Sequence, residues 1–281
     1  MRKNKQIDHV KQTHLNLSCS NGSLFQVVRD SMSSTLYITG AGVSAESGIP
    51  TFRGEDGYWV IGSRNYTPQS MATRQMYFDC PDEFLLWYYL RFATYSDIEP
   101  NETHHWLAHK RLITQNIDGL DGKAGNATYI PIHGRLDKVT VLRDQHEMVT
   151  LQTAPWAEVR NEVPDSDDHT RLKTVLLEAF HISRKTKCPD MGKSLKPFVL
   201  LFDEYYTNMY RIDEATDWMG DARKFVFIGT SFSVNITQIA LRKALLSGAT
   251  IEVVDPEPVD LGIQGIRYHA ITARAYVDKQ D

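Results

Sequence analysis

The chain has 281 residues, 42% hydrophobic and 23% charged, with a formal net charge of −4. That length can hold one sizeable α/β core plus a smaller lobe, and the mild acidity gives no electrostatic footing for nucleic acid. No apolar run approaches a membrane span, Met1–Gln6 lacks a signal-peptide core, and three scattered cysteines (Cys19, Cys80, Cys188) build no disulfide framework. An intracellular, cytoplasmic protein without nucleic-acid or membrane partners is expected.

Residues 1–34 carry one weak amphipathic stretch and read as an N-terminal extension. Leu36–Thr39 reads as a buried strand, and Gly40-Ala41-Gly42 as the tight turn leaving it. Ser44, Ala45 and Glu46 then open a helix, which Ser47-Gly48-Ile49-Pro50 breaks at once, and Phe52-Arg53 follow on a loop. A strand, a glycine turn and a helix N-terminus gather backbone N–H groups around one point, which suits a diphosphate. A bare G-x-G is also what any tight strand-to-helix turn wants; the early helix break and the aromatic-cation pair distinguish this one from an ordinary crossover.

An aromatic-rich insert runs from about Gly54 to Pro100, with F-L-L-W-Y-Y-L-R-F at its centre. Arg111–Thr114 is a further strand, and a polar insert with the acidic run P-D-S-D-D-H spans about Val139 to Lys196. Phe198–Phe202, Phe225–Ile228 and Thr250–Val254 complete the expected parallel strands. Between Ser233 and Ser247, apolar residues recur at helical spacing and close on Gly248. The pattern predicts an α/β fold, a doubly wound parallel Rossmann-like sheet with a smaller lobe formed by the two inserts. The catalytic domain would span 35–281, its core about 35–53, 101–138 and 197–276, and its lobe about 54–100 and 139–196.

Four more blocks follow the glycine loop in order: P-N-E-T-H-H-W-L-A from Pro100, I-T-Q-N-I-D-G-L from Ile113, I-H-G from Ile132, and F-I-G-T-S-F-S-V from Phe227. With G-A-G-V-S-A-E-S-G-I-P-T-F-R, the chain resembles the sirtuin family of NAD-dependent protein deacylases over roughly Leu36 to Asp255. The resemblance implies removal of acyl groups from protein lysines, giving nicotinamide and O-acyl-ADP-ribose. NAD would lie across the strand ends, touching Gly40, Ala41, Gly42, Ser44, Phe52, Arg53, Gln115, Asn116, Ile117, Asp118, Gly229, Thr230, Ser231 and Asp255. Asp118 would accept the nicotinamide carboxamide and Gln115 would orient the ribose. His133 would be the general base, with Asn116 and Gln115 completing the catalytic set, because an imidazole can take a proton from a ribose hydroxyl near neutrality. Acyl-lysine proteins or peptides are the implied partners, paired by strand addition near Phe202, Glu204 and Val234.

Each residue also has a plainer reading. Gly40 and Gly42 serve any turn, His133 could be a capped surface histidine, Asp118 could cap a turn with Gly119, and Ser231 could be the N-cap of the following helix. Tyr88 and Arg91, three apart on one helix face, are similar to the pair by which some sirtuins hold succinyl- or malonyl-lysine; the alternative is a core-facing aromatic helix with a solvated arginine.

The chain departs from the family pattern in several places. Most sirtuins carry two C-x-x-C pairs for a structural zinc, whereas Cys188 is followed by Met191, so zinc is not expected; Cys188, His181 and His146 are the only makeshift donors. Thr51 and Asp255 replace the usual aspartate and asparagine, Asp121 replaces a histidine, F-D-E replaces F-G-E, and the His104–Arg111 connector is short. An NAD glycohydrolase or ADP-ribosyl transferase using the same pocket is the competing reading, and a non-catalytic NAD sensor the third.

Overall fold

The computed structural model describes residues 34–51 and 67–280; Phe52 and Arg53, expected at the cofactor, lie outside the described residues. The strands are β1 (Thr35–Thr39), β2 (Arg111–Thr114), β3 (Ile130–Pro131), β4 (Gly134–Val141), β5 (Gln152–Thr153), β6 (Leu195–Val199), β7 (Lys224–Ile228), β8 (Thr250–Val254) and β9 (Arg267–His269). Six of them form a parallel sheet in the order β3-β2-β1-β7-β8-β9. From β1 the chain builds outward through β2 and β3, then returns to lay β7 on the other side of β1. The order therefore reverses between β1 and β7. In an open parallel sheet, the crevice beyond the carboxyl ends of such a strand pair is where ligands bind.

Side chains alternate across each strand, so both faces of this sheet are core. Leu36, Ile38, Phe225 and Phe227 face the helices Ile212–Asp221 and Asn235–Ser247. Tyr37, Leu112, Val226 and Ile228 face Leu107, Ala273 and Tyr276 instead. The helix Asn235–Ser247 ends as expected, on Gly248 at φ 68°, in the left-handed region where glycine carries no Cβ penalty. Its start is different. The N-cap position is Val234 with no side-chain bond, so Ser231 does not cap this helix.

The strand expected at Phe198–Phe202 is corrected in span and in direction. It is β6, Leu195–Val199, and it pairs antiparallel with β4 in a separate sheet of order β5-β4-β6. The apolar run F-V-L-L-F overlaps β6 only at Phe198 and Val199. Every residue of β6, Lys196 and Pro197 included, is buried, and burial carries no sign of which sheet a strand enters. The aromatic insert supplies the helix Pro81–Tyr95, which buries Phe84, Leu85, Tyr88 and Tyr89 with Trp156, Leu172 and Leu176 of the second insert. Trp156 is fully buried, and its ring N–H donates to the Leu136 carbonyl at 2.8 Å, so this large side chain leaves no orphan donor. Among the described residues no helix is long and apolar enough to cross a membrane.

The short connector is a six-residue helix, Glu102–Leu107, that turns directly into β2 through a Lys110 N–H to Leu107 carbonyl bond. Its capping box is Asn101 with His104. The helix expected at Ser44–Glu46 is instead a pair of single 3₁₀ turns, Ala41–Val43 and Ala45–Ser47, stopped by Gly48 at φ 89°.

Candidate active site

The ends of β1 and β7 meet at glycine-only distance. A Cβ on Gly40 would lie 2.7 Å from the Gly229 oxygen, and one on Gly42 only 2.5 Å from the Gly229 Cα. Gly229 itself adopts φ 60°. These glycines are therefore required by close backbone approach, beyond any need of a turn. The expected ring of unpaired N–H groups is corrected. Gly40 and Gly42 donate to the Ile228 and Gly229 carbonyls at 3.1 and 3.0 Å, and Val43 and Ser44 donate back to Gly40 and Ala41. The end of β7 takes the two glycine donors, and the 3₁₀ turn, bonding three residues back, takes those of Val43 and Ser44.

Behind the turn lies a polar network that ties three chain segments together. Ser44, 1% exposed, donates its hydroxyl to Asp118 Oδ2 at 2.7 Å and accepts from Asn116 Nδ2 at 3.1 Å. Asn116 Nδ2 also reaches the Gly40 carbonyl at 3.1 Å, so its side chain braces the glycine turn. Asp118 Oδ1 accepts from the Leu120 N–H at 2.9 Å; the turn-capping role is real, and each carboxylate oxygen retains a second lone pair. His104 Nδ1 accepts the Asn101 N–H at 3.2 Å, which leaves the proton on Nε2, 3.4 Å from the Ser44 hydroxyl. This histidine is fully buried, and burial lowers its pKa to about 4. It supports the network as a neutral donor.

His133 follows β3 and immediately precedes β4. Its Nδ1 lies 3.0 Å from the Gln115 backbone carbonyl, and a carbonyl can only accept, so Nδ1 carries the proton. The lone pair is then on Nε2, which receives the Tyr206 hydroxyl at 2.9 Å. Burial lowers the His133 pKa to about 4 against a smaller opposing pull from the Gln115 bond, so the ring is a neutral base across the neutral range. The Gln115 carbonyl orients His133, while its side-chain Nε2 bonds the Thr39 carbonyl and the Thr230 hydroxyl, both at 3.1 Å. Ile117 bonds the Leu136 N–H through its carbonyl at 2.9 Å. Ser231 meets the Ser233 hydroxyl at 2.6 Å, and Asp255, just past β8, accepts the Glu257 N–H at 3.0 Å.

On the opposite side the expected substrate residues divide. Glu204 is corrected as a peptide contact: it is buried, paired with Arg74 at 3.0 Å and Lys196 at 3.1 Å, and bonded to the Leu201 N–H. Its carboxylate offsets a fully desolvated lysine, a structural duty. Phe202 is 57% exposed, but its N–H already donates to the Ala72 carbonyl at 3.0 Å. Val234 is partly buried against the sheet core. Tyr88 is buried in the aromatic cluster, and Arg91 lies over the Trp87 ring at 3.3 Å while donating to the Trp87 carbonyl at 2.8 Å. Among the described residues no three His, Cys, Asp or Glu side chains gather as metal donors, so His146, His181 and Cys188 stay apart.

Two groups at the site escaped the sequence reading, Tyr206 and His104. His104 sits in the quoted P-N-E-T-H-H block, whereas Tyr206 has no motif around it.

Asp121 lies beneath Asp118, 2% exposed, and burial together with the Asp118 charge raises its pKa to about 7. The sign follows directly. The unfolded carboxyl ionises near pH 4 and the folded one near 7, so between those values the native state holds an extra proton and this contribution to stability falls as pH rises. Asp121→Asn is therefore expected to flatten the stability loss between pH 5 and pH 8, by on the order of 3 kcal/mol relative to wild type, in urea unfolding at each pH. Equal pH slopes in the two proteins would contradict it.

The glycine crevice at a strand-order reversal, with a neutral histidine held beside it, can be set against known proteins. The Sir2 family model matches residues 40–236. The chain belongs to the Sir2 family. It is 32% identical over 234 residues to NAD-dependent protein deacylase 1 of Caldanaerobacter subterraneus subsp. tengcongensis, covering 81% of this chain and 84% of that protein. It is 31% identical over 227 residues to the NAD-dependent protein deacylase of Aeropyrum pernix, covering 78% and 80%. In three dimensions it is similar to a Sir2 homolog solved as an NAD complex, with TM-score 0.66, 27% identity, and 95% and 94% of the two chains covered. In this Sir2 protein, Gly40–Gly42, Gln115–Asp118, His133 and Gly229–Ser231 all fall inside the family match, whereas Asp255 lies beyond it.

Proposed function

We propose that this Sir2 protein is an NAD-dependent protein-lysine deacylase, with the expected site residues in the roles their geometry allows. The observation that carries the reading is His133, locked by the Gln115 carbonyl as a neutral imidazole with its lone pair on Nε2. A dinucleotide suits these strand ends: the Gly40–Gly42 turn stands at the strand-order reversal, and Thr230 and Ser231 bring hydroxyls to the same ends. NAD would supply the acyl acceptor, its nicotinamide leaving and the acyl group ending on ADP-ribose. Asp118 would hold the carboxamide with the lone pairs that Ser44 and Leu120 leave, and Asn116 would keep the turn and that carboxylate in register. His133 would take the proton from the sugar hydroxyl. The two inserts would form one smaller lobe, and Phe202 and Val234, on the core segment that follows it, would meet an acyl-lysine peptide.

The test is mass-spectrometric turnover of matched acetyl- and succinyl-lysine peptides with NAD. O-acyl-ADP-ribose is the expected product. NAD consumption to free ADP-ribose without peptide would replace the deacylase with a glycohydrolase. Acidic acyl groups require Arg91 to exchange its Trp87 contacts for a carboxylate. On that reading Arg91→Met loses succinyl turnover by about 10-fold or more and keeps acetyl turnover. Equal loss on both peptides would make Arg91 a packing residue.

A further inference from the structure

The base at the centre of the site is covered. With Nδ1 bound to the Gln115 carbonyl, Nε2 is the one ring nitrogen of His133 able to accept a proton, and the Tyr206 hydroxyl already donates to it at 2.9 Å. The two rings lie 5.8 Å apart at 27°. Tyr206 is also held from elsewhere: its ring packs on the sheet core. A phenol oxygen has one proton and two lone pairs. The proton is on His133, so a lone pair remains to accept.

We propose that Tyr206 is a catalytic proton-relay residue, whose hydroxyl meets the sugar hydroxyl with its remaining lone pair and hands its own proton to His133 Nε2. The step balances: Tyr206 Oη takes a proton from the sugar hydroxyl as its own O–H bond breaks, and Nε2 forms an N–H bond. The sugar oxygen keeps the bonding electron pair, His133 becomes the cation, and Tyr206 ends unchanged. No ionised phenolate forms, which agrees with a phenol that burial pushes up to about 12. Packing on the sheet core and the bond to His133 give Oη a fixed position beside the base, the preorganisation a proton transfer needs.

The inference rests on the deacylase reading, and the experiment separates the two. Wild type and Tyr206→Phe are compared in NAD-dependent deacylation of an acetyl-lysine peptide, and the free proteins by ¹⁵N NMR of labelled histidine. Tyr206→Phe is expected to lower kcat by about 10-fold or more while KM for NAD stays within about 3-fold. The wild-type solvent-isotope proton inventory should be curved, for two protons in flight, and linear in the variant. The His133 Nε2 resonance should be that of a hydrogen-bonded acceptor in wild type and should move in Tyr206→Phe without ligand. An unchanged or raised kcat in the variant would make Tyr206 a place-holder that substrate displaces, and overturns the relay. So does a linear inventory in wild type, which needs no variant to fold, or an unmoved Nε2 resonance. A wild type that turns over no acyl peptide overturns the deacylase reading and the relay together.

Discussion

Replacing His133 by alanine is expected to lower deacylation kcat by about 10²–10⁴-fold while NAD binding, measured by calorimetry, changes little. The argument is geometric first. Nε2 carries the lone pair because the Gln115 carbonyl fixes the proton on Nδ1, and neither the glycine crevice nor Asp118 depends on the imidazole for its own bonds. The pH dependence then follows. Burial lowers the folded pKa to about 4, so the ring is deprotonated from about pH 5 upward, and the acid limb of kcat/KM in the free enzyme should fall well below the 6.5 of an ordinary histidine. A profile flat from pH 5.5 to 7 in wild type supports the buried neutral base. An acid limb centred near 6.5 would place His133 in solvent, and a variant keeping more than about a tenth of wild-type kcat would remove it from the chemistry altogether.

What the sequence revealed, and what it hid, separates along physical lines. The strands at 36–39, 111–114, 225–228 and 250–254 were legible because a parallel sheet buried on both faces writes short, largely apolar runs. They are broken here only where Glu252 is paired with Lys224 and where Arg111, Thr114, Thr39 and Thr250 end the runs. The run F-V-L-L-F looks the same but belongs to another sheet through β6, whose Lys196 and Pro197 precede it, since burial carries no information about strand direction. The glycines were legible because close backbone contact at Gly229 admits nothing larger. The partners of their N–H groups were not, because Gly40 and Gly42 donate to the Ile228 and Gly229 carbonyls, far along the chain, which only the fold brings beside the turn. Gln115 acts on His133 through a backbone carbonyl, an atom every residue has and no motif can mark. Tyr206 reaches His133 across 73 positions of chain, from a loop without any signature. Glu204 read as part of a peptide edge because its cationic partners Arg74, 130 positions away, and Lys196, 8 positions away, lie outside every family block and meet it only in the fold.

Gly134→Ala is expected to produce the largest loss of stability among single substitutions at the site, because the added carbon has nowhere to go. A Cβ there would lie 2.0 Å from the Phe198 oxygen and 2.8 Å from its carbonyl carbon, and both are backbone. The residue also adopts φ 83°, where any L side chain adds a penalty of about 1–2 kcal/mol. No rotamer change relieves a contact with backbone. β4 must separate from β6 at the Gly134–Val199 pair, and the bond from the Leu200 N–H to the His133 carbonyl, 2.9 Å, sits beside that pair. Destabilisation above about 3 kcal/mol in urea unfolding is the expected result. Gly125→Ala is the matched control: φ there is 97°, but nothing lies within 4 Å of the new carbon, so only the backbone term of about 1–2 kcal/mol remains. Equal losses in the two variants would mean that the β4–β6 contact yields easily. A much larger loss at Gly134, with turnover falling further than the folded fraction, would show that this strand contact holds the base in place, since His133 is the residue that any shift at Gly134 moves first.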